Sequence, residues 1–153
     1  MQKSKNAFTM IELVFVIVVL GILAAVALPK FAATRNDAVL AKAKADVSAI
    51  RSSIVTERQS RLIKGDSTWI TKLSNGGNLF TGSDSNHTLL SYGITPGEWA
   101  HGAVTASTDT YTFTTGGSVY TFVYSNSNAA AANRGTFKCT GVTGTGNCSD
   151  ITD

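Results

Sequence analysis

The sequence predicts an α+β chain, a long amino-terminal helix packed against a small antiparallel sheet. Three observations predict it. Residues 8–28 form an apolar run whose only charge is Glu12. Beyond Pro29, uncharged residues recur at spacings of three and four, the period of an amphipathic helix. In the last half, aromatic and β-branched residues alternate with Thr and Ser on both sides of Gly116 and Gly117. The full length, 153 residues, suits one small head plus a long element.

The apolar run comes first. Its 21 residues would make roughly 30 Å of helix, enough to cross a bilayer. A carboxylate in such a segment is costly and needs a partner. The segment offers none, because no Lys or Arg lies between Lys5 and Lys30. Three readings of the run are open. A secretory signal would use Lys3 and Lys5 as its basic region and be cut after Ala27, but its apolar part would be too long and would contain Glu12. A plain membrane anchor explains the length and leaves Glu12 unexplained. A helix that starts in the membrane and later packs against copies of itself accounts for both.

Gly21 and Pro29 punctuate this helix. Proline lacks a donor and clashes with the carbonyl four residues back, so Pro29 either kinks or loosens the helix around Ala25 or marks the membrane exit. Gly21 weakens the same region.

The second half of the helix follows. Ala33, Asn36, Leu40, Ala43, Val47, Ile50 and Ile54 share one stripe, widened by Phe31 and Val39. The helix is expected to run to Lys64 and to end at Gly65 and Asp66. From residue 8 to residue 64 it would span roughly 85 Å.

The head supplies a partner for the stripe. Residues 110–115 (TYTFTT) and 118–124 (SVYTFVY) flank the Gly pair, a strong hairpin signal. Residues 102–107 read as a weaker strand and 136–139 as the last. Trp69, Phe80, Tyr92 and Trp99 are expected mostly in the core or at a sheet edge.

The amino terminus carries a family resemblance. Lys3, Ser4, Lys5, Asn6 and Ala7, followed by Phe8, Thr9, Met10, Ile11, Glu12 and Leu13, resemble the class III signal of type IV pilins and type II secretion pseudopilins. The resemblance implies a type IV pilin-like fold, with the first half of the helix in the membrane. It implies that residues 1–7 are a leader cut between Ala7 and Phe8 by a prepilin peptidase, which then N-methylates Phe8. The usual residue before the cut is Gly, and Ala7 departs from it. The resemblance makes Glu12 the assembly carboxylate, meeting the Phe8 amine of a neighbouring subunit. An ammonium and a carboxylate both lose solvation in hydrocarbon and relieve each other by pairing. Within one helix, Glu12 could also reach its own terminus four residues back.

The remaining boundaries are then residues 8–29 for the membrane and filament-core half-helix, 30–64 for the amphipathic half, and 65–153 for a periplasmic head. Cys139 and Cys148 are the two cysteines of the chain. Their spacing resembles the carboxy-terminal disulfide loop of many pilins, and a disulfide suits the periplasm. A bridge would close a loop of about ten residues, worth about 2–3 kcal/mol. Related pseudopilins often use calcium in that region. Here Asp84, Ser85 and Asn86 only faintly suggest a calcium loop, and Asp150 and Asp153 could join such a site; no metal or other cofactor is assigned.

Charge is segregated. Residues 30–64 carry eight basic against three acidic side chains, and residues 65–153 three basic against six acidic. A basic stem and an acidic head could complement each other between copies. A negative head argues against nucleic acid, even with aromatics beside Arg134 or Lys138. No catalytic constellation is readable. His87 and His101 are expected as surface or loop residues.

These readings converge on a non-enzymatic filament subunit in the bacterial inner membrane, single-pass, with its head in the periplasm. Charge leaves the orientation open, since Lys30 and Arg35 rival Lys3 and Lys5; the resemblance sets the amino terminus in the cytoplasm. Its implied partners are further copies of itself, minor pilins or pseudopilins, the peptidase, and an inner-membrane platform with its assembly ATPase. The short chain, compact head and lack of an elaborated adhesive loop lean towards a type II secretion pseudopilus, with a pilus for adhesion, motility or DNA uptake close behind and a secreted soluble binding protein as the distant alternative.

Overall fold

The computed structural model describes residues 8–84 and 87–152. In chain order it contains helix α1 (Met10–Ile63), strands β1 (Gly82–Asp84), β2 (His87–Thr88), β3 (Trp99–Val104), β4 (Thr108–Thr115) and β5 (Ser118–Ser125), a 3-10 turn (Ala131–Asn133), β6 (Phe137–Thr143) and the short α2 (Ser149–Thr152). This is the expected α+β order. The chain divides into two units, Met1–Ala38 and Val39–Asp153.

In the second unit, β3, β4, β5 and β6 form one antiparallel sheet in that order. The β4–β5 hairpin is in continuous register from Thr108–Ser125 to Thr115–Ser118. Gly116 and Gly117 both adopt positive φ, 57° and 78°. That is the backbone of a two-residue turn whose twist matches its strands, and only glycine adopts it without strain. Along β5, Ser118, Tyr120, Phe122 and Tyr124 are buried and alternate with half-buried residues.

The core forms where the α1 stripe meets these rings. Ala43, Val47, Ile50 and Ile54 are buried, together with Phe80, Trp99, Tyr111, Phe113, Phe122 and Phe137. The rings pack at centroid distances of 4.4 Å for Phe80 and Tyr111, 5.0 Å for Trp99 and Phe113, and 5.1 Å for Phe122 and Phe137. Each such aromatic pair adds roughly 0.5–1.5 kcal/mol beyond area burial. Trp99 also donates its indole N–H to Asp46 on α1 at 3.0 Å.

The stripe differs from the expected one at both ends. Asn36 and Phe31 are exposed, and Val39 and Leu40 are half-buried. The side chain of Ala33 lies outside the described residues. At the other end the stripe continues through Glu57 and Arg61, 7% and 6% exposed. Their ion pair, 3.1 Å from Nε to Oε1, is what admits two charges to an apolar face. Arg61 reaches on to Asp66 at 3.2 Å.

The end of α1 falls where Gly65 predicts it. Gly65 has φ 84°. Its N–H bonds to the carbonyl of Leu62 at 3.0 Å, and the N–H of Asp66 bonds to that of Arg61 at 2.9 Å. These are the two bonds of a Schellman stop, which satisfies carbonyls that the helix would otherwise leave open.

Three further differences are physical. β3 starts at Trp99 rather than at residue 102, because Trp99 and Ala100 pair with Phe113 and Thr112, and its register shifts between His101 and Val104. β6 runs on to Thr143, past the expected residue 139, along β5. The small β1–β2 pair was not predicted; its strands are too short to show a period.

His101 is exposed, as expected of a surface residue. It lies in β3, its ring stacks on Tyr111 at 4.8 Å, and its Nε2 sits 2.6 Å from Oδ1 of Asp109. Asp109 is fully buried. Its Oδ2 accepts the N–H of Leu73 and the hydroxyl of Tyr111, both at 2.8 Å. His87 lies in β2 and is half-buried. Among the expected core aromatics, Trp69 is half-buried under Arg58, and Tyr92 is 89% exposed.

Cys139 and Cys148 form a disulfide, with Cα atoms 5.6 Å apart. The loop it closes is held from inside. Ser118 Oγ accepts the N–H groups of Thr145 and Gly146, each at 3.2 Å. Asp150 accepts the N–H of Asn147 at 2.7 Å. A Cβ at Gly146 would fall 2.2 Å from the Tyr120 hydroxyl oxygen, so the loop needs glycine there to lie against β5.

Candidate functional site

The first unit has no apolar partner of its own. Every residue from 8 to 26 is exposed, including Phe8 at 83%, Ile11 at 76% and Phe15 at 68%. The best 18-residue window of α1 has mean hydropathy 3.0 and none of it is buried, so the helix is long and apolar enough to cross a membrane. Leaving a large apolar side chain in water instead of burying it costs about 1.5–3 kcal/mol, and this segment repeats that cost along its whole length. Lipid or other helices must cover it.

Glu12 sits in the first turn of α1. It does not stand alone there. The N–H and the hydroxyl of Thr9 donate to Oε2 of Glu12 at 2.9 and 2.8 Å, and the N–H of Glu12 approaches Thr9 Oγ1 at 3.3 Å. This reciprocal arrangement is a capping box. It satisfies N–H groups that a helix start leaves without partners. Sequence reasoning missed it, although Thr9 three residues before Glu12 is its signature. Both contacts from Thr9 fall on one carboxylate oxygen, Oε2.

The other predicted residues are placed as follows. Phe8 precedes the cap and is exposed. Ala7 and the rest of residues 1–7, the expected leader, lie outside the described residues. So do Ser85, Asn86 and Asp153, on which the calcium readings partly fell. Gly21 and Pro29 both lie inside α1, which is assigned as one helix through them. A Cβ at Gly21 would meet nothing within 4 Å, so no packing within the chain calls for glycine there. Among the described residues, no group of three or more His, Cys, Asp or Glu could hold a metal ion.

A protein-family comparison matches residues 2–28 to the prokaryotic N-terminal methylation motif. That stretch contains Lys3, Lys5, Ala7, Phe8 and Glu12. The chain is also 32% identical over 120 residues to the type IV narrow pilus major component PilA5 of Thermus thermophilus, covering 76% of this chain and 92% of that one. The chain belongs to the type IV pilin and pseudopilin family. No solved structure matches it significantly. As a pilin-like protein, the chain combines the methylation motif, one membrane-length helix, a small antiparallel head and the disulfide.

The family explains why a soluble-looking head is joined to so apolar a helix. It also gives the exposed face of residues 8–28 a general use, since pilin-like chains assemble by packing such helices together. The methylation motif and the apolar segment fit anchoring in the inner membrane.

Proposed function

We propose that the chain is the structural subunit of an extended type IV pilus, with no enzymatic activity of its own. A prepilin peptidase removes residues 1–7 and methylates the Phe8 amine. The helix then holds the subunit in the inner membrane with its head in the periplasm. An assembly platform and its ATPase transfer the subunit into a filament started by minor pilins.

The observation that carries this reading is the uncovered apolar helix of residues 8–28 with a single carboxylate at its start. In a filament, apolar helices cover each other and replace lipid. Glu12 then has one charge-complementary group to meet, the methylated amine of a neighbouring Phe8. In the low dielectric of that bundle, an unpaired carboxylate is expensive enough to select the stagger that pairs it. The disulfide loop and the name of the Thermus relative favour a pilus over a secretion pseudopilus.

The test has two arms. Mass spectrometry of the amino-terminal peptide from the native membrane should find N-methylated Phe8; a terminus at Leu28 would make the segment an ordinary secretory signal. Immunogold microscopy of intact cells should then label surface filaments. Label confined to the periplasm of processed cells would assign the chain to a pseudopilus instead.

A further inference from the structure

Beside α1, within the second unit, lies a groove of about 380 Å3 lined by Ser53, Thr56, Glu57, Ser60, Thr88 and Leu89. Two of its four hydroxyls are committed as donors. Ser53 Oγ donates to the carbonyl of Ile50 at 2.8 Å, and Thr56 Oγ1 donates to that of Ser52 at 3.0 Å. Both hydroxyl protons are therefore spent on the helix backbone, and both oxygens have only lone pairs to offer.

Glu57 completes the pattern. Its side chain is 8% exposed, and Arg61 Nε donates to its Oε1 at 3.1 Å. Nη1 of Arg61 turns elsewhere, to Asp66 Oδ2 at 3.2 Å and Thr68 Oγ1 at 3.1 Å. Arg58, next in sequence, is turned to the carbonyls of Asp66 and Thr68 and lies over Trp69. A carboxylate has about four acceptor sites, and a buried one is costly until most are filled. The groove thus presents a carboxylate and two hydroxyl acceptors, beside the hydroxyls of Ser60 and Thr88, which can turn either way. It fits a cationic N–H donor, and a planar guanidinium matches a carboxylate best.

Among the described residues, one arginine is available. Arg51 donates to the carbonyl of Phe137, and Arg134 to that of Ala129. Arg58 and Arg61 are engaged as above. Arg35 is exposed and, among the described residues, has no hydrogen bond or ion pair. It belongs to the basic stem, which has an excess of positive charge to place.

We propose that Arg35 of one subunit enters the Glu57 groove of a second copy. The inference rests on the filament reading, and it names a contact that would add a charge-specific register to the non-directional packing of apolar helices. Charge pairs of this kind fix register and suppress wrong alignments.

The experiment uses the full chain in its assembling cell with Arg35→Lys, which keeps the charge and supplies an amine. Purified filaments are treated with a water-soluble carbodiimide, which joins an amine directly to a carboxylate in contact with it. The expected result is a covalent dimer on a denaturing gel whose linked peptides join position 35 to Glu57. The same treatment of Arg35→Lys, Glu57→Gln filaments should lose that dimer at least tenfold. Intact filaments in which position 35 links only to other carboxylates, or to none, would overturn the contact. Microscopy beforehand separates the two layers of the inference: if the unmodified chain forms no filaments, the filament reading fails and takes the contact with it.

Discussion

The indole N–H of Trp99 donates to the carboxylate of Asp46 across 3.0 Å, joining the first residue of β3 to α1 over 53 positions of sequence. Trp99 itself is 1% exposed and touches Phe80, Phe113, Phe122 and Phe137. A large ring this deep fills the core only if its one polar atom finds an acceptor. Asp46 provides it, so one bond fixes both where the sheet begins and how α1 is rotated against it. Asp46→Ala should leave the indole N–H unpaired and cost about 1–3 kcal/mol. Thermal unfolding of the detergent-solubilised chain would check this. An unchanged midpoint would mean that water serves the indole equally well.

Asp109 lies on the same buried face of the sheet, further along β4. It holds Leu73, Tyr111 and His101 through three hydrogen bonds while fully buried. Asp109→Ala strands the Leu73 N–H in the core, leaves the Tyr111 hydroxyl with Ser74 Oγ alone, and should cost about 3 kcal/mol. His101→Ala removes only the partly exposed partner and should cost clearly less. Equal losses from the two variants would place the weight of the network on the histidine instead.

Much of this fold was legible because its devices are local. Gly116 and Gly117 between alternating strands and Gly65 after an amphipathic stripe each have a backbone reason that can be read residue by residue. What escaped was long-range or charged. Read from sequence, the stripe stops at Ile54, because Glu57 and Arg61 resemble surface residues until each is found to neutralise the other. His101 is exposed as it reads, but its bond to Asp109 was not legible, because that partner is a charge in a strand of Thr and Tyr. At the candidate site, Glu12 was legible as an anomaly of charge, but its bond to Thr9 was overlooked for want of a partner of opposite sign.

The pH limits of the head follow from two kinds of group. The N–H of Thr68, then the Thr68 side chain and the charges of Arg61 and Arg58, hold the Asp66 carboxyl below its ordinary value of 3.8. A depressed carboxyl contributes stability above its unfolded value, and that contribution is lost as pH falls from 3.8 towards the folded value. Burial pushes the hydroxyls of Tyr111 and Tyr124 upward from 10.0. Their contribution is complete below pH 10 and is lost as pH rises past it, because the unfolded chain ionises first. Unfolding midpoints should therefore fall at both extremes, and Asp66→Asn should flatten the acid side alone.

The disulfide should matter most to the end of the chain. Cys139→Ser opens the loop that Ser118 and Asp150 otherwise hold, and should lower stability under oxidising conditions by about 2–3 kcal/mol. The loop also seats Gly146 on Tyr120, so hydrogen exchange in β6 and α2 should rise while that of β4 stays unchanged. Uniform acceleration across the whole sheet would show that the bridge secures the entire head.

Glu12 has two separable uses, and one substitution distinguishes them. As part of the capping box it accepts hydrogen bonds from Thr9, a role that glutamine performs as well as glutamate. As the partner of a methylated amine it must carry charge, which glutamine lacks. Glu12→Gln should therefore keep the helix start intact, be inserted and cleaved normally, and still fail to enter filaments. Thr9→Val makes the converse change. It removes the hydroxyl and costs the helix start about 1 kcal/mol, but leaves the carboxylate charged and freer to pair. Its filaments should form with yields within a few-fold of the parent. Shear fractionation of cells carrying each variant measures both. Normal filaments from Glu12→Gln would reduce Glu12 to a helix cap, and the stagger of the subunits would then need a different source.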